Sequence, residues 1–447
     1  MILAALSACT SSGWAQPPQD DLQANLATAL APYLAAQDFM GVVAIGNDGR
    51  PPTIVARGSR ELGSTRLHDA DSAFLIGSIS KQFTAVAILL LAEDGDVDLT
   101  VPVSRYWPGF PRADEFTVHQ LLTHTAGVAD VYSLPGLQAA DAWQKSLQDV
   151  VDELADAGPA GAPGEGFAYS NGGYTLLAAI IERVSGMSYG EFLERRVFAP
   201  AGLESTWHTP PRTEQARQAT GYVPAGIDEL AEVRPPANAY LVGSGSLWST
   251  AGDLLRWAEA LHNGRVLSDA SYRQMTRDHG AEYGYGVSVF SRLGRDVIGH
   301  DGRVSGFASD LASYVNDGLH VVVLSNVESV ARDEIRVRIA AATLGLPVPE
   351  PSVREFANGV VAPADAVGSY AFGPNLTVHV SIDSDRLLAR ANAGAASELV
   401  PLTNGHWFSR MLYTEVCFGR GDDDVVTGLL WGCGETGPVG QRIVAPP

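Results

Sequence analysis

Apolar positions in this chain follow two rhythms. Near the start, the runs 41–46 and 53–57 flank Asn47-Asp48-Gly49, the pattern of two strands joined by a tight turn. From Ser78 to about Glu93 the spacing changes, and Phe83, Val86, Ile88, Leu89, Leu90 and Leu91 leave almost no polar face. That predicts a buried helix, stopped by Asp94-Gly95-Asp96. Residues 100–270 read mostly as helices and loops. Strand-like runs return at Tyr285–Phe290, Val297–Gly299, Ala308–Tyr314 and His320–Ser325, and a helix follows from about Asp333 to Leu344. Strands at both ends of a region with helices between predict an α/β sheet interrupted by a helical insertion. Pro347, Pro349 and Pro351 mark a linker. Beyond it, residues 363–447 carry short alternating runs, Leu376–Ile382 and Arg386–Ala391 among them, which predict a separate small β domain.

Composition narrows the functional classes. The 447 residues are 46% apolar and 18% charged, a globular balance with room for one large and one smaller domain. The net charge of −21 excludes a nucleic-acid partner, whose phosphates require a basic footprint, and electrostatic docking on anionic lipid.

The apolar residues 2–8 lead into Cys9 and a polar, Pro-rich stretch. The run is too short to span a membrane and reads as the tail of an export signal. Leu6-Ser7-Ala8-Cys9 resembles a bacterial lipobox, which would anchor the protein by a lipid on Cys9. Gly13-Trp14-Ala15 before Gln16 resembles an ordinary cleavage site, which would free it. Both place the mature protein outside the cytoplasm, as a periplasmic protein or a membrane-tethered lipoprotein, and the lipobox is the preferred reading. Cys417 and Cys433, the other two cysteines, suit a disulfide between neighbouring strands in an oxidising compartment. No Cys/His spacing matches a zinc site, so neither metal nor cofactor is expected.

The chemistry centres on a lysine. Of 30 basic residues only Lys81 and Lys145 are lysine, the rest arginine. Arginine stays charged, whereas a desolvated lysine can lose its proton and act as a base. Ser78 and Lys81 stand three apart at the mouth of the apolar helix, so a serine nucleophile lies beside an amine. A second element, Tyr169-Ser170-Asn171, sits on a Pro/Gly loop before the run Leu176–Ile181. A phenol near a lysine would have its anion stabilised and could accept or relay the serine proton, and an asparagine offers a donor and an acceptor to a substrate amide. A third, Gly299-His300-Asp301-Gly302-Arg303, closes a strand; its histidine could donate a hydrogen bond or relay a proton near neutral pH. Gly186-Met187-Ser188-Tyr189-Gly190 fits the Gly-x-Ser-x-Gly pattern, but a helix precedes it where that motif needs a strand. Ser188 with Glu191 therefore reads as a capping box.

Ser-x-x-Lys, Tyr-x-Asn and His-x-Gly in this order, with Leu121–Gly127, Leu247–Thr250, Asp253 and Gly306-Phe307, resemble the serine hydrolase superfamily of class C β-lactamases, DD-peptidases, D-aminopeptidases and related esterases. The resemblance covers roughly residues 25–345. It implies a β-lactamase/transpeptidase-like antiparallel sheet with flanking helices over residues 23–346; the export signal and linker 1–22, the Pro-rich linker 347–362 and the small β domain 363–447 rest on the sequence pattern alone. The resemblance further implies that Ser78 attacks a carbonyl, that Lys81 and Tyr169 manage its proton, and that Asn171 contacts the acyl amide. The backbone N–H groups of Ser78 and Arg303 would hold the oxyanion, and His124 would be structural. Asp301 stands where a threonine helps bind a substrate carboxylate, so a carboxylate should be repelled unless Arg303 offsets the charge. The expected activity is hydrolysis of D-amino-acid peptides or amides through an acyl-serine. The alternatives are a carboxylesterase, a weak β-lactamase and a non-catalytic penicillin- or peptidoglycan-binding sensor.

Overall fold

The computed structural model describes residues 19–47, 51–209, 211–352, 354–373, 376–391, 396–434 and 438–443. Cys9 and the cleavage site after Ala15 lie outside them. Six antiparallel strands form the central sheet, in the order Thr53–Arg57, Gly41–Asn47, Leu319–Ser325, Phe307–Tyr314, Arg295–Val304 and Ser288–Arg292. The two central strands Gly41–Asn47 and Leu319–Ser325 are mostly apolar because both faces are covered, and successive side chains go to opposite sides. Val43, Ile45, Val321 and Val323 pack with Leu26, Leu30, Ile335 and Ile339, which come from the helices Gln19–Ala35 and Ala331–Thr343. Val42, Ala44, Val322 and Leu324 face the other way, into a core shared with the helical insertion.

That insertion, between Arg57 and Ser288, carries the first two motifs, and the sheet strand Arg295–Val304 carries the third. The insertion's central helix, Ser80–Glu93, is buried from Ser80 to Leu91. Asn171–Ser185 and Ala251–His262 pack nearby. The run predicted to begin a strand at Tyr285 does so only at Ser288, because Tyr285 N–H donates to Met275 O (2.9 Å), at the end of helix Asp269–Met275, instead of joining a ladder. Ser188 caps helix Tyr189–Leu193, accepting from Glu191 N (3.3 Å).

Residues from Gly368 to Arg442 form a closed antiparallel barrel of eight strands. Closure leaves no unpaired edge. Thr377–Asp383 and Arg386–Ala391 are two of its strands, and a Cys417–Cys433 disulfide joins the hairpin Thr414–Arg420/Val426–Trp431 at one end. The barrel is not a detached appendage, since its Trp407–Ser409/Thr414–Arg420 connection is gripped by the catalytic domain: Ser329 Oγ donates to Arg410 O (2.9 Å) and Val330 N to Met411 O (2.9 Å).

Candidate active site

Ser78 lies in a single 3-10 turn, Gly77–Ile79, that runs directly into the buried helix. The turn meets the strand of the third motif backbone to backbone. A Cβ on Gly77 (φ +52°) would come within 2.9 Å of Arg303 N, and one on Gly302 would lie 2.1 Å from Ile76 O. Any side chain at either position would force the two segments apart, and with them the Ser78 and Arg303 amides.

Lys81 is fully buried one helical turn on. Its Nζ donates to Ser78 Oγ (3.0 Å), Asn171 Oδ1 (2.8 Å) and the carbonyl of Ser244 (2.9 Å). Burial lowers its pKa to about 7 against the pull of Asp130 and Asp301, so amine and ammonium coexist near neutrality. Two of its three hydrogen-bond directions end on fixed acceptors. When the third proton leaves, the lone pair therefore points at Ser78 Oγ, the direction a base needs.

Asn171 is the first residue of helix Asn171–Ser185, capped by Ser170, whose Oγ accepts from Gly173 N (3.0 Å). Its backbone N and Nδ2 both donate to Asp130 Oδ2 (2.7 and 2.9 Å), which turns Oδ1 toward Lys81. Asp130 was not singled out in the sequence. It is one acid in an Ala/Val loop, 41 residues before its partner, and no local spacing marks it.

Tyr169 overturns one expectation. Burial raises its phenol well above the ordinary value, and the hydrogen bond with Ser78 pulls it back only in part. Its ring is 39% exposed to the cleft, so the rise is smaller than for a fully enclosed phenol, but the direction leaves Tyr169 protonated. Lys81 Nζ lies 4.7 Å from its ring centroid, a contact with the π face that does nothing to stabilise a phenolate oxygen. The site thus sets a Lys81 amine and a protonated Tyr169 hydroxyl beside Ser78.

His300 also departs from the expected proton relay. Burial holds its pKa at about 4, so it is neutral at physiological pH. Its protons follow from its neighbours. Ser170 N–H donates to His124 Nδ1 (3.1 Å), so the neutral His124 carries its hydrogen on Nε2, facing Tyr283 Oη at 3.3 Å. Tyr283 then donates to His300 Nε2 (2.9 Å), and His300 Nδ1–H donates to Asp301 O (2.6 Å). Both imidazoles are fully engaged in fixing the walls. His124, held at φ +56°, packs against Tyr169 with ring centroids 4.2 Å apart and the planes tilted by 34°, a positioning role.

Asp301 is half-exposed and ion-paired, but with Arg332 from the helix behind the sheet and not with Arg303, which lies 3.8 Å from Glu328. Burial pushes the Asp301 carboxyl up, yet Arg332 and His300 bring it below the usual range. Among the described residues one group has metal-ligand spacing, His406 with Cys417 and Cys433, and its sulfurs are joined in the disulfide.

A buried amine three residues after a serine, an asparagine bonded to it and the close approach of the catalytic turn to the Arg303 backbone are the parts of a serine hydrolase. The chain belongs to the Beta-lactamase family, whose model matches residues 26–344. It is 31% identical over 407 residues to penicillin-binding protein 4* of Bacillus subtilis, covering 84% of this chain and 88% of that protein. It is 27% identical to a D-aminopeptidase of Cereibacter sphaeroides over 68% of this chain and 59% of that one. Among solved structures, D-amino acid amidase from Ochrobactrum anthropi complexed with D-phenylalanine matches with a TM-score of 0.65 and 25% identity, over 73% of this chain and 99% of that one.

Proposed function

We propose that the protein hydrolyses peptides or amides of D-amino acids through an acyl-serine. The orientation of Lys81 by Asn171 and Ser244 carries this reading. Ser78 Oγ bonds to the substrate carbonyl as its proton passes to the neutral Lys81 amine, and the oxygen takes the negative charge between the Ser78 and Arg303 amides. The C–N bond then breaks as the leaving amine takes a proton from Lys81, passed through the Tyr169 hydroxyl. Water attacks the acyl-serine and gives a proton to Lys81; the C–O bond to Ser78 then breaks as Lys81 returns that proton to Ser78 Oγ, which releases the acid and restores the neutral amine.

The D preference rests on the relatives, a D-aminopeptidase and a D-amino acid amidase bound to D-phenylalanine. Beside the catalytic turn, Asp301 is half-exposed and paired with Arg332, which leaves its second oxygen able to accept a substrate N–H. The Cys417–Cys433 disulfide supports export to an oxidising compartment. Turnover of D- and L-phenylalaninamide by the wild type and Ser78→Ala tests the reading. D should exceed L at least tenfold and vanish in the variant. Turnover of nitrophenyl esters with no amide cleavage would make the protein a carboxylesterase.

A further inference from the structure

Ser78 opens into a cleft of about 860 Å³, far more than one scissile amide fills. Its two walls differ in chemistry. The catalytic domain contributes Asp130, Tyr169, Asn171, Asp301, Arg303 and Glu328, whereas the far wall comes from the barrel and is mostly apolar. The barrel residues that reach the cleft are not scattered over its outside. Ala389, Ala391, Ser397 and Trp431 occupy the alternate positions that face the lumen, the same positions that bury Leu387, Leu399 and Leu429 further along. Where the lumen is closed those positions carry leucine. Where it meets the cleft three of them carry alanine or serine and one carries Trp431, with Val378 paired to Ala391 and Ala389 to Ser397. Among the described residues, that end of the lumen is lined by small side chains together with Val378 and Trp431, and it shares the cleft with Ser78. The Ser397 and Ser409 hydroxyls face each other at 3.4 Å, so they ask nothing of a ligand.

Beside the Ser329 and Val330 contacts, a buried arginine holds this wall in place. Arg410, 1% exposed, reaches out of the barrel into the catalytic domain. Its Nε donates to Asp38 Oδ1 (2.9 Å), Nη1 to the carbonyls of Gly226 (2.7 Å) and Ile227 (3.0 Å), and Nη2 to those of Ala36 (2.8 Å) and Gln37 (3.0 Å). The next two residues, Met411 and Leu412, line the cleft. The guanidinium fork satisfies a chain turn that otherwise leaves several carbonyls unpaired, and in doing so fixes the barrel's rotation about the site.

We propose that the open end of the barrel lumen is a substrate subsite for an apolar group several carbons long, and that Arg410 is the positioning residue that aligns it with Ser78. The proposal rests on the hydrolase reading for its substrate class: an amide or ester that joins a polar D-amino-acid unit at the nucleophile to an apolar tail in the barrel.

Binding to Ser78→Ala protein tests the subsite without turnover, so its outcome is separate from that of the hydrolase reading. Calorimetry would compare N-octanoyl-D-alaninamide and D-alanine octylamide with N-acetyl-D-alaninamide. At least one octyl compound should bind tenfold or more tighter than the acetyl compound, and adding Ala391→Trp, at the exposed mouth of the lumen, should erase the gain. If neither octyl compound binds more tightly, or if the tryptophan changes nothing, there is no such subsite. For Arg410, the paired change Asp38→Asn/Arg410→Met avoids leaving a lone buried carboxylate. In the Ser78 enzyme it should raise KM for nitrophenyl octanoate about tenfold and lower the octanoate-to-acetate ratio of kcat/KM, while kcat for octanoate holds. An unchanged ratio, or equal losses on both esters, would remove Arg410 from this role even if the lumen binds.

Discussion

The two walls of the cleft are built on different principles. On the catalytic side each residue type is dictated by chemistry: Lys81 must be able to lose a proton, Asn171 must present an acceptor to it, and Gly77 and Gly302 must have no side chain. On the barrel side only size and polarity matter, and Ala389, Ala391 and Ser397 serve by being small. The contrast extends to how each half is held. The catalytic half rests on buried, desolvated titratable groups, the barrel half on strand closure, one disulfide and the Arg410 latch. Placing charges and imidazoles out of water costs stability but produces reactive groups; a closed barrel offers a stable surface that leaves the chemistry to its neighbour.

The largest expected effect that separates the halves is their response to acid. Burial lowers His68, His208 and His300 to about 4 and His262 to about 3, and all four lie in the catalytic domain. In the unfolded chain they bind protons from about pH 6.5 down, while in the fold they stay neutral. Stability from these groups is thus complete above pH 6.5 and is lost as pH falls toward 4. Each of the first three contributes roughly 3 kcal/mol across that window. Hydrogen exchange at pH 4.5 should show the catalytic domain opening while the barrel remains protected. Opening of the barrel first would break the comparison.

Next in size is Lys81→Arg. It keeps the charge and removes the ability to deprotonate, so kcat should fall about 10³-fold for every substrate, long or short, as for loss of a general base. A loss confined to one substrate class would place Lys81 in binding instead. On the barrel side, replacing Cys417 and Cys433 by serine should cost the barrel about 3 kcal/mol, read from its own unfolding transition, and leave the rate of Ser78 labelling intact. The smallest effect is expected for Tyr283→Phe, which removes the bridge between His124 and His300. It should cost about 1–3 kcal/mol of stability and shift activity only a few-fold. A loss as deep as that of Lys81→Arg would mean that protons do travel through His300.

The same contrast explains what was legible in the sequence. Ser78 and Lys81 could be read because a helical turn links them, and the buried helix because its apolar residues are continuous. The sheet strands and the barrel hairpin at Thr377–Asp383 and Arg386–Ala391 were visible through their periodicity. Asp130, Arg332 and Arg410 were not, since each acts on a partner 31 to 372 residues away and has no local rhythm to betray it. The partner of Asp301 was sought two residues along the strand, at Arg303, and lies instead on the helix behind the sheet. Burial of Tyr169 and His300 was equally hidden, and burial sets their protonation: the phenol keeps its proton and the imidazole goes without a second one.

The most direct test of the central claim is the pH dependence of fluorophosphonate labelling, with the modified peptide identified by mass spectrometry. Ser78 should carry the label, at a rate that rises through an apparent pKa near 7 as Lys81 becomes a free amine and is low at pH 5. Label on another serine, or a rate on Ser78 that is flat from pH 5 to 9, would contradict a neutral Lys81 as the base.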